Sequence, residues 1–170
     1  MQFDLECCKV RSWKWDDEES LIHNADNRNI WINLRDRFPH PYTQQDARNW
    51  LKIVVGATPE TQFAIEVDGR AVGGIGFLLN DDVHRIQVEM GYWLGEEFWG
   101  RGIMTEALKA VTKYAFNNFE IKRIYAGLFE WNKASARVLE KAGYELECRQ
   151  RKSVIKNGVI CDQLVYVRII

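Results

Sequence analysis

Between residues 86 and 118 the chain changes its hydrophobic period once, and the change is abrupt. Val88, Met90, Tyr92 and Leu94 alternate with Glu89, Gly91 and Trp93, the period of two that predicts a strand. Trp99-Gly100-Arg101-Gly102 breaks the alternation. Ile103, Met104, Ala107, Leu108, Val111, Tyr114 and Ala115 then recur at three- and four-residue steps, one face of a helix over 102–118.

The pattern on either side is softer. Leu5 to Lys14 alternates weakly and predicts a first strand. Asp16-Asp17-Glu18-Glu19 puts carboxylates at a helix start, where the dipole favours them. A second short helical region covers Arg28 to Asp36, and Phe38-Pro39-His40-Pro41-Tyr42 follows as a rigid connection. Thr43-Gln44-Gln45-Asp46 resembles a capping box, with Thr43 as N-cap of a helix reaching Val55 and Ala47, Trp50, Leu51 and Val54 on its apolar face. Strands over Thr61 to Val67 and Ala71 to Leu79 flank a hairpin turn at Asp68-Gly69. Asp81 to His84 turns the chain into the strand at 86–94. Beyond the helix come a strand from Arg123 to Leu128 and a short helix from Asn132 to Ala142, closed by Gly143. Tyr144 to Lys156 and Val159 to Ile169 form a long hairpin around Asn157-Gly158.

This order predicts one α/β domain over residues 1–170, a mostly antiparallel mixed sheet flanked by helices. The helix at 102–118 makes the strands that it joins parallel neighbours, and a ligand at that strand end can lie between them. The first N–H groups of a helix lack partners inside it, and its dipole is positive there. Glycines let the backbone approach an anion closely, so the residues around Gly100 and Gly102 read as a diphosphate cradle. The plain alternative is a strand-to-helix turn that carries two glycines. Neither common nucleotide motif is present: Thr105 stands where Gly-x-Gly-x-x-Gly needs glycine, and no Gly-Lys-Ser/Thr closes the loop.

Composition narrows the picture. A net charge of −1 without clustered Lys and Arg argues against nucleic acid as a partner. Apolar runs are too short to span a bilayer, and the N-terminus lacks the basic region and apolar stretch of a secretory signal, so a cytoplasmic protein is expected. Cys7, Cys8, Cys148 and Cys161 show no Cys-x-x-Cys spacing. A turn at Asn157-Gly158 sets Cys161 opposite Val154 and Cys148 opposite Val167, so these thiols are expected to stay reduced. His23, His40 and His84 are scattered and suggest no metal site. Trp13, Trp15, Trp31 and Trp50 read mostly as core.

Four blocks in order carry a resemblance that covers essentially the whole chain. They are the Phe38 to Trp50 segment, Glu89 to Trp93 with Trp99 to Leu108, Asn132-Lys-Ala-Ser135 followed by Leu139 to Tyr144, and Asn157-Gly158 with Asp162. Together they resemble the GNAT N-acetyltransferase superfamily, and more closely its RimJ/RimL-type ribosomal-protein acetyltransferase branch. The general superfamily loop is Gln/Arg-x-x-Gly-x-Gly/Ala. Trp99 and Met104 depart from its first and last positions, as that branch tolerates. The resemblance implies a GNAT domain with one splayed parallel strand pair and acetyl-CoA as cosubstrate, with no metal. Amides of Trp99, Gly100, Arg101, Gly102, Ile103, Met104 and Thr105 would bind the pyrophosphate. Arg101 either adds charge near a phosphate or is a solvated arginine at the helix start.

Acetyl transfer from a thioester to an amine must hold the thioester, deprotonate the amine, stabilise the oxyanion and protonate the thiolate. By the resemblance, main-chain groups of Tyr92, Trp93 and Leu94 pair with the pantetheine arm, and the N–H groups of Trp93 and Leu94 are candidates for the thioester oxygen. Many superfamily members carry a tyrosine acid seven residues after the asparagine; here Leu139 stands there, and Ser135 is the replacement candidate. Asn132 would bond the cofactor arm, although Asn132 and Ser135 also suit a helix N-cap and first turn. Glu89 is the leading base, directly or through water, against the alternative of a solvated carboxylate. Asp162 and Asp36 are weaker options that attract a cationic amine. His40 and Trp31 are candidates for the acceptor wall. No His neighbours Cys148 or Cys161 in sequence, so direct transfer in a ternary complex is expected.

The expected function is acetyl transfer to a primary amine: a protein N-terminus, a polyamine, an aminoglycoside-like drug or a small metabolite. The alternative is a non-catalytic acyl-CoA-binding sensor on the same fold. A homodimer is left open.

Overall fold

The computed structural model describes residues 2–170. Eight strands make one sheet: β1 (Gln2–Asp4), β2 (Lys9–Ser12), β3 (Gln62–Val67), β4 (Arg70–Leu79), β5 (Gln87–Leu94), β6 (Arg123–Phe129), β7 (Glu145–Lys156) and β8 (Val159–Ile169). The helices are α1 (Glu18–Ala25), α2 (Arg28–Trp31), α3 (Gln44–Val54), α4 (Ile103–Asn118) and α5 (Lys133–Lys141). The strand order is β1-β2-β3-β4-β5-β6-β8-β7, and only β5 and β6 run parallel, because α4 carries the chain back between them. The predicted hairpins form where Asp68-Gly69 and Asn157-Gly158 adopt positive φ in succession, the primed turn that matches strand twist.

Alternation along the strands divides the apolar residues between the two sheet faces. Phe63, Ile65, Ile75, Phe77, Val88 and Met90 bury on one face under α4. All seven helix positions read from the sequence, Ile103 to Ala115, are buried there. Ala64, Ala71 and Trp13 bury on the other face with Leu21, Ala25, Ala47, Leu51 and Val54 of α1 and α3. The Thr43 capping box forms as read: Thr43 Oγ1 accepts from Asp46 N at 3.3 Å, and Asp46 Oδ2 accepts from Thr43 N at 2.8 Å. Among the described residues no helix is long and apolar enough to cross a membrane.

Several expectations need correction. The single strand over Leu5 to Lys14 is the end of one hairpin: Leu5 N donates to the Cys8 carbonyl at 2.9 Å, which separates β1 from β2. The helix over Arg28 to Asp36 stops at Trp31. Asn33 N and Leu34 N then bond three residues back, a tighter winding that releases Arg35 and Asp36 to reach Glu89 and Lys156. Near its turn the terminal hairpin has the expected register, with Cys161 opposite Val154. Bulges at Leu146/Cys148 and Gln150/Val154 then put Cys148 opposite Val165 instead of Val167, and all four cysteines are free thiols. Of the four early tryptophans only Trp13 is buried in the core; Trp31 and Trp50 are half-buried, and Trp15 is 56% exposed. Asp17 is buried nearby, where both its oxygens accept from Arg11 at 2.7 Å.

Candidate active site

The parallel pairing of β5 with β6 lasts only from Gln87 to Glu89, opposite Arg123 to Tyr125. Beyond Glu89 the two strands part, while β5 stays paired with β4 as far as Leu94. Main-chain groups in a strand alternate between its neighbours. Gly95 N donates to Val72 O of the β4 side at 2.7 Å, and Ile86 O accepts from Lys122 N of the β6 side at 2.8 Å. Even-numbered residues of β5 therefore face the opening, and odd-numbered ones face β4. Leu94 N–H points into the slot, with the main-chain groups of Met90 and Tyr92. Trp93 N–H belongs to the ladder opposite Gly74, so it is withdrawn as an oxyanion donor. Trp99 closes the slot's end: its indole N–H donates to Leu94 O at 2.7 Å.

The loop below the slot holds the second feature. Gly100 and Gly102 have φ of 73° and 79°, a conformation that L side chains resist. The first bond of α4 runs from Glu106 N to Gly102 O at 3.2 Å, so the N–H groups of Ile103, Met104 and Thr105 lack partners within the helix. No side chain caps this helix, whereas Asn132 caps α5 and Thr43 caps α3. A Cβ at Gly102 would meet nothing within 4 Å, which leaves the backbone open to close approach. Buried Ile103 and Met104 anchor the loop from behind. Arg101 is exposed, its guanidinium 5.4 Å from the centre of the Phe98 ring.

Ser135 lies in the first turn of α5, and Asn132 Oδ1 accepts from its N–H at 3.1 Å. Capping thus occupies the Asn132 oxygen and leaves its NH2 group to donate. The Ser135 hydroxyl lies 2.7 Å from the phenol oxygen of Tyr92. These two residues stand 43 apart in sequence, and no local pattern announces their contact. Burial pushes the Tyr92 phenol well above the ordinary range, partly offset by the bond to Ser135.

Glu89 sits on the opposite face of β5. It lines a groove of about 260 Å³ with Arg35, Arg123, Tyr125, Gly127 and Glu147. Arg35, brought by the turn after α2, forms an ion pair with Glu89. Arg123 Nη1 donates to Glu147 Oε1 at 2.7 Å and holds the Glu147 carboxyl below its ordinary range. Neither arginine was singled out from the sequence, because each matters through a partner on another element. Asp162 accepts from Lys152 N at 2.8 Å and from Arg149, and both hold its carboxyl low. Asp36 accepts from buried Lys156 at 2.8 Å, and that ammonium lies 3.8 Å from the Trp31 ring centre. Trp31 and Lys156 thus brace the terminal hairpin beside a pocket of about 540 Å³ lined by Asn33, Trp131 and Asn132. His40 packs on Trp31 with ring centres 5.8 Å apart, and its Nδ1 lies 3.4 Å from Asp26. Among the described residues no three His, Cys, Asp or Glu side chains could hold a metal.

The splayed parallel pair beside an uncapped helix N-terminus is the arrangement expected of a GNAT-like domain. The chain belongs to the acetyltransferase (GNAT) domain family, whose model matches residues 9–145. It is similar to YjcK of Bacillus subtilis, with 47% identity over 76 residues, 45% of this chain and 42% of that protein. It is also 38% identical over 76 residues to the ribosomal protein uS5 alanine N-acetyltransferase of Escherichia coli, 45% of this chain and 39% of that protein. The chain thus spans less than half the length of these two relatives. In fold it is similar to a GNAT-family acetyltransferase from Bacillus anthracis, with a TM-score of 0.84, 22% identity, and coverage of 99% of this chain and 98% of that one. RimL, the ribosomal L7/L12 α-N-protein acetyltransferase, in complex with coenzyme A superposes at 0.85 with 21% identity, covering 100% of this chain and 98% of its own.

Proposed function

We propose that this protein is an acetyl-CoA-dependent N-acetyltransferase that acts on a primary amine, by preference a protein N-terminal α-amine, in a ternary complex in the cytoplasm. One observation carries the reading: β5 offers main-chain groups to a slot whose mouth is the uncapped N-terminus of α4. The amides of Ile103, Met104 and Thr105 meet the pyrophosphate, with the help dipoles give to anions. The pantetheine arm enters the slot and pairs with Tyr92 and Leu94 as an added strand would. Leu94 N–H receives the developing oxyanion.

Acid and base lie on opposite faces of the same strand, which suits direct transfer. Glu89, reached from the groove, takes the proton of the attacking amine, directly or through water. Ser135, reached from the α5 side, gives a proton to the departing thiolate. An incoming ammonium competes with Arg35 for Glu89 and displaces it. The groove carries Arg35 and Arg123 as well as Glu89 and Glu147. Mixed charge suits an extended peptide better than a polyamine, which calls for a net acidic wall. The uS5 acetyltransferase among the relatives favours the same acceptor class.

The test is calorimetry with acetyl-CoA, followed by measurement of thiol release with a panel of peptide and small amines. Binding plus turnover on peptide N-termini supports the reading. Binding without turnover on any amine replaces it with the acyl-CoA sensor. No binding refutes both.

A further inference from the structure

The tyrosine missing from α5 has a counterpart in space. Leu139 occupies the helix position where many family members carry an acid, yet a phenol reaches the same neighbourhood from β5. Tyr92 shares its strand face with Val88, Met90 and Leu94, which looks toward α4 and α5. Its Oη lies 2.7 Å from Ser135 Oγ and 3.5 Å from the Ser135 carbonyl oxygen. A serine hydroxyl holds one hydrogen and two lone pairs, so it can accept from one partner and donate to another. A phenol kept protonated by burial is a constant donor near neutral pH. If it accepted from Ser135 instead, the serine would have no hydrogen left for sulfur.

We propose that Tyr92 is a positioning residue for Ser135: its phenol donates to Ser135 Oγ, turning the serine hydrogen toward the departing thiolate and replacing that hydrogen as it leaves. The inference rests on the reading of Ser135 as the acid. As the carbon–sulfur bond breaks, its electron pair goes to sulfur, which takes the Ser135 hydrogen. The Tyr92 hydrogen shifts to Ser135 Oγ, and the resulting phenolate regains a proton from water after the products leave. The serine oxygen never carries a full negative charge. A phenol bears that charge far better than an aliphatic alcohol, even with burial opposing it. A second phenol acts on Tyr92: that of Tyr144, just before β7, itself bonded at 2.7 Å to Thr112 of α4.

The test combines Tyr92→Phe, Ser135→Ala and the double variant. Each is measured for melting temperature, acetyl-CoA affinity and kcat on one peptide amine. Tyr92→Phe is expected to lower kcat by about tenfold or more and to leave the dissociation constant within about twofold. The double variant is expected to be no slower than Ser135→Ala, because both changes cut one relay. Unchanged kcat in Tyr92→Phe with a slow Ser135→Ala overturns the proposal and leaves Ser135 as the acid. Losses that multiply in the double variant also overturn it. Unchanged kcat in Ser135→Ala removes the serine reading and this inference together. Should Tyr92→Phe fail to fold, 3-fluorotyrosine at position 92 keeps the shape and strengthens the donor. It is expected to raise kcat at neutral pH, and an unaltered kcat counts against the proposal.

Discussion

Gly102 is worth more for its backbone than for the side chain it lacks. Its φ of 79° turns the loop so that the first turn of α4 faces outward, and open space surrounds it. Gly102→Val is expected to weaken acetyl-CoA binding about tenfold, or about 1.4 kcal/mol, by twisting the amides away from the anion. The domain should stay folded; calorimetry alongside thermal melting separates the two effects. Arg35 makes the opposite kind of contribution. It occupies the carboxylate that an amine must reach, and its side chain is half exposed. Arg35→Ala is expected to lower KM for a cationic amine by about two- to fivefold, the worth of an exposed ion pair, with kcat nearly unchanged. Steady-state kinetics at fixed acetyl-CoA would show it. A raised KM would mean that Arg35 instead helps to hold the acceptor.

At the level of elements, the strongest determinants were periodic and local. The α4 face, the Thr43 capping box and both glycine turns form where the sequence puts them, because each depends on residues within a few positions. The errors fall where a distant partner rules. Asp17 stands at the helix start that the sequence gives it, as N-cap of α1, but its second role is the part that no local pattern shows. In the fold it is buried, and it neutralises Arg11, which also bonds Glu66 of β3. That network joins β2, the turn before α1 and β3. Asp17→Ala leaves the buried guanidinium with only Glu66 and the Ser12 carbonyl and is expected to destabilise the domain by about 1–3 kcal/mol. Urea unfolding measures the loss; a change under about 1 kcal/mol would mean that water or Glu66 alone satisfies Arg11. The end of α2 is a similar case. No pattern in the sequence stops the helix at Trp31, and the tighter winding that follows carries Arg35 to Glu89 and Asp36 to Lys156.

Across the whole molecule, two buried tyrosines and the half-buried Tyr92 set an alkaline limit. Burial raises the phenols of Tyr42 and Tyr92, and raises that of Tyr144 from 10.0 to about 12. Unfolding would let each ionise near its ordinary value of about 10. Their contribution is therefore fully present below about pH 10 and is lost as pH rises toward the folded values. Stability should fall steeply above about pH 10, with tyrosinate absorbance and loss of circular dichroism rising together. Tyrosinate forming well before the fold is lost would show that these phenols reach solvent in the native state.

Order and type of nearly every element and the glycine loop were written in periods, caps and turn residues, all interactions of short range, while the family showed only as a resemblance carried by four motif blocks. Packing alone settled which amide of β5 faces the slot, that Arg35 covers Glu89, and that Tyr92 meets Ser135. Those outcomes follow from strand register and from contacts between residues tens of positions apart. No pattern within a single segment encodes a distance between two segments.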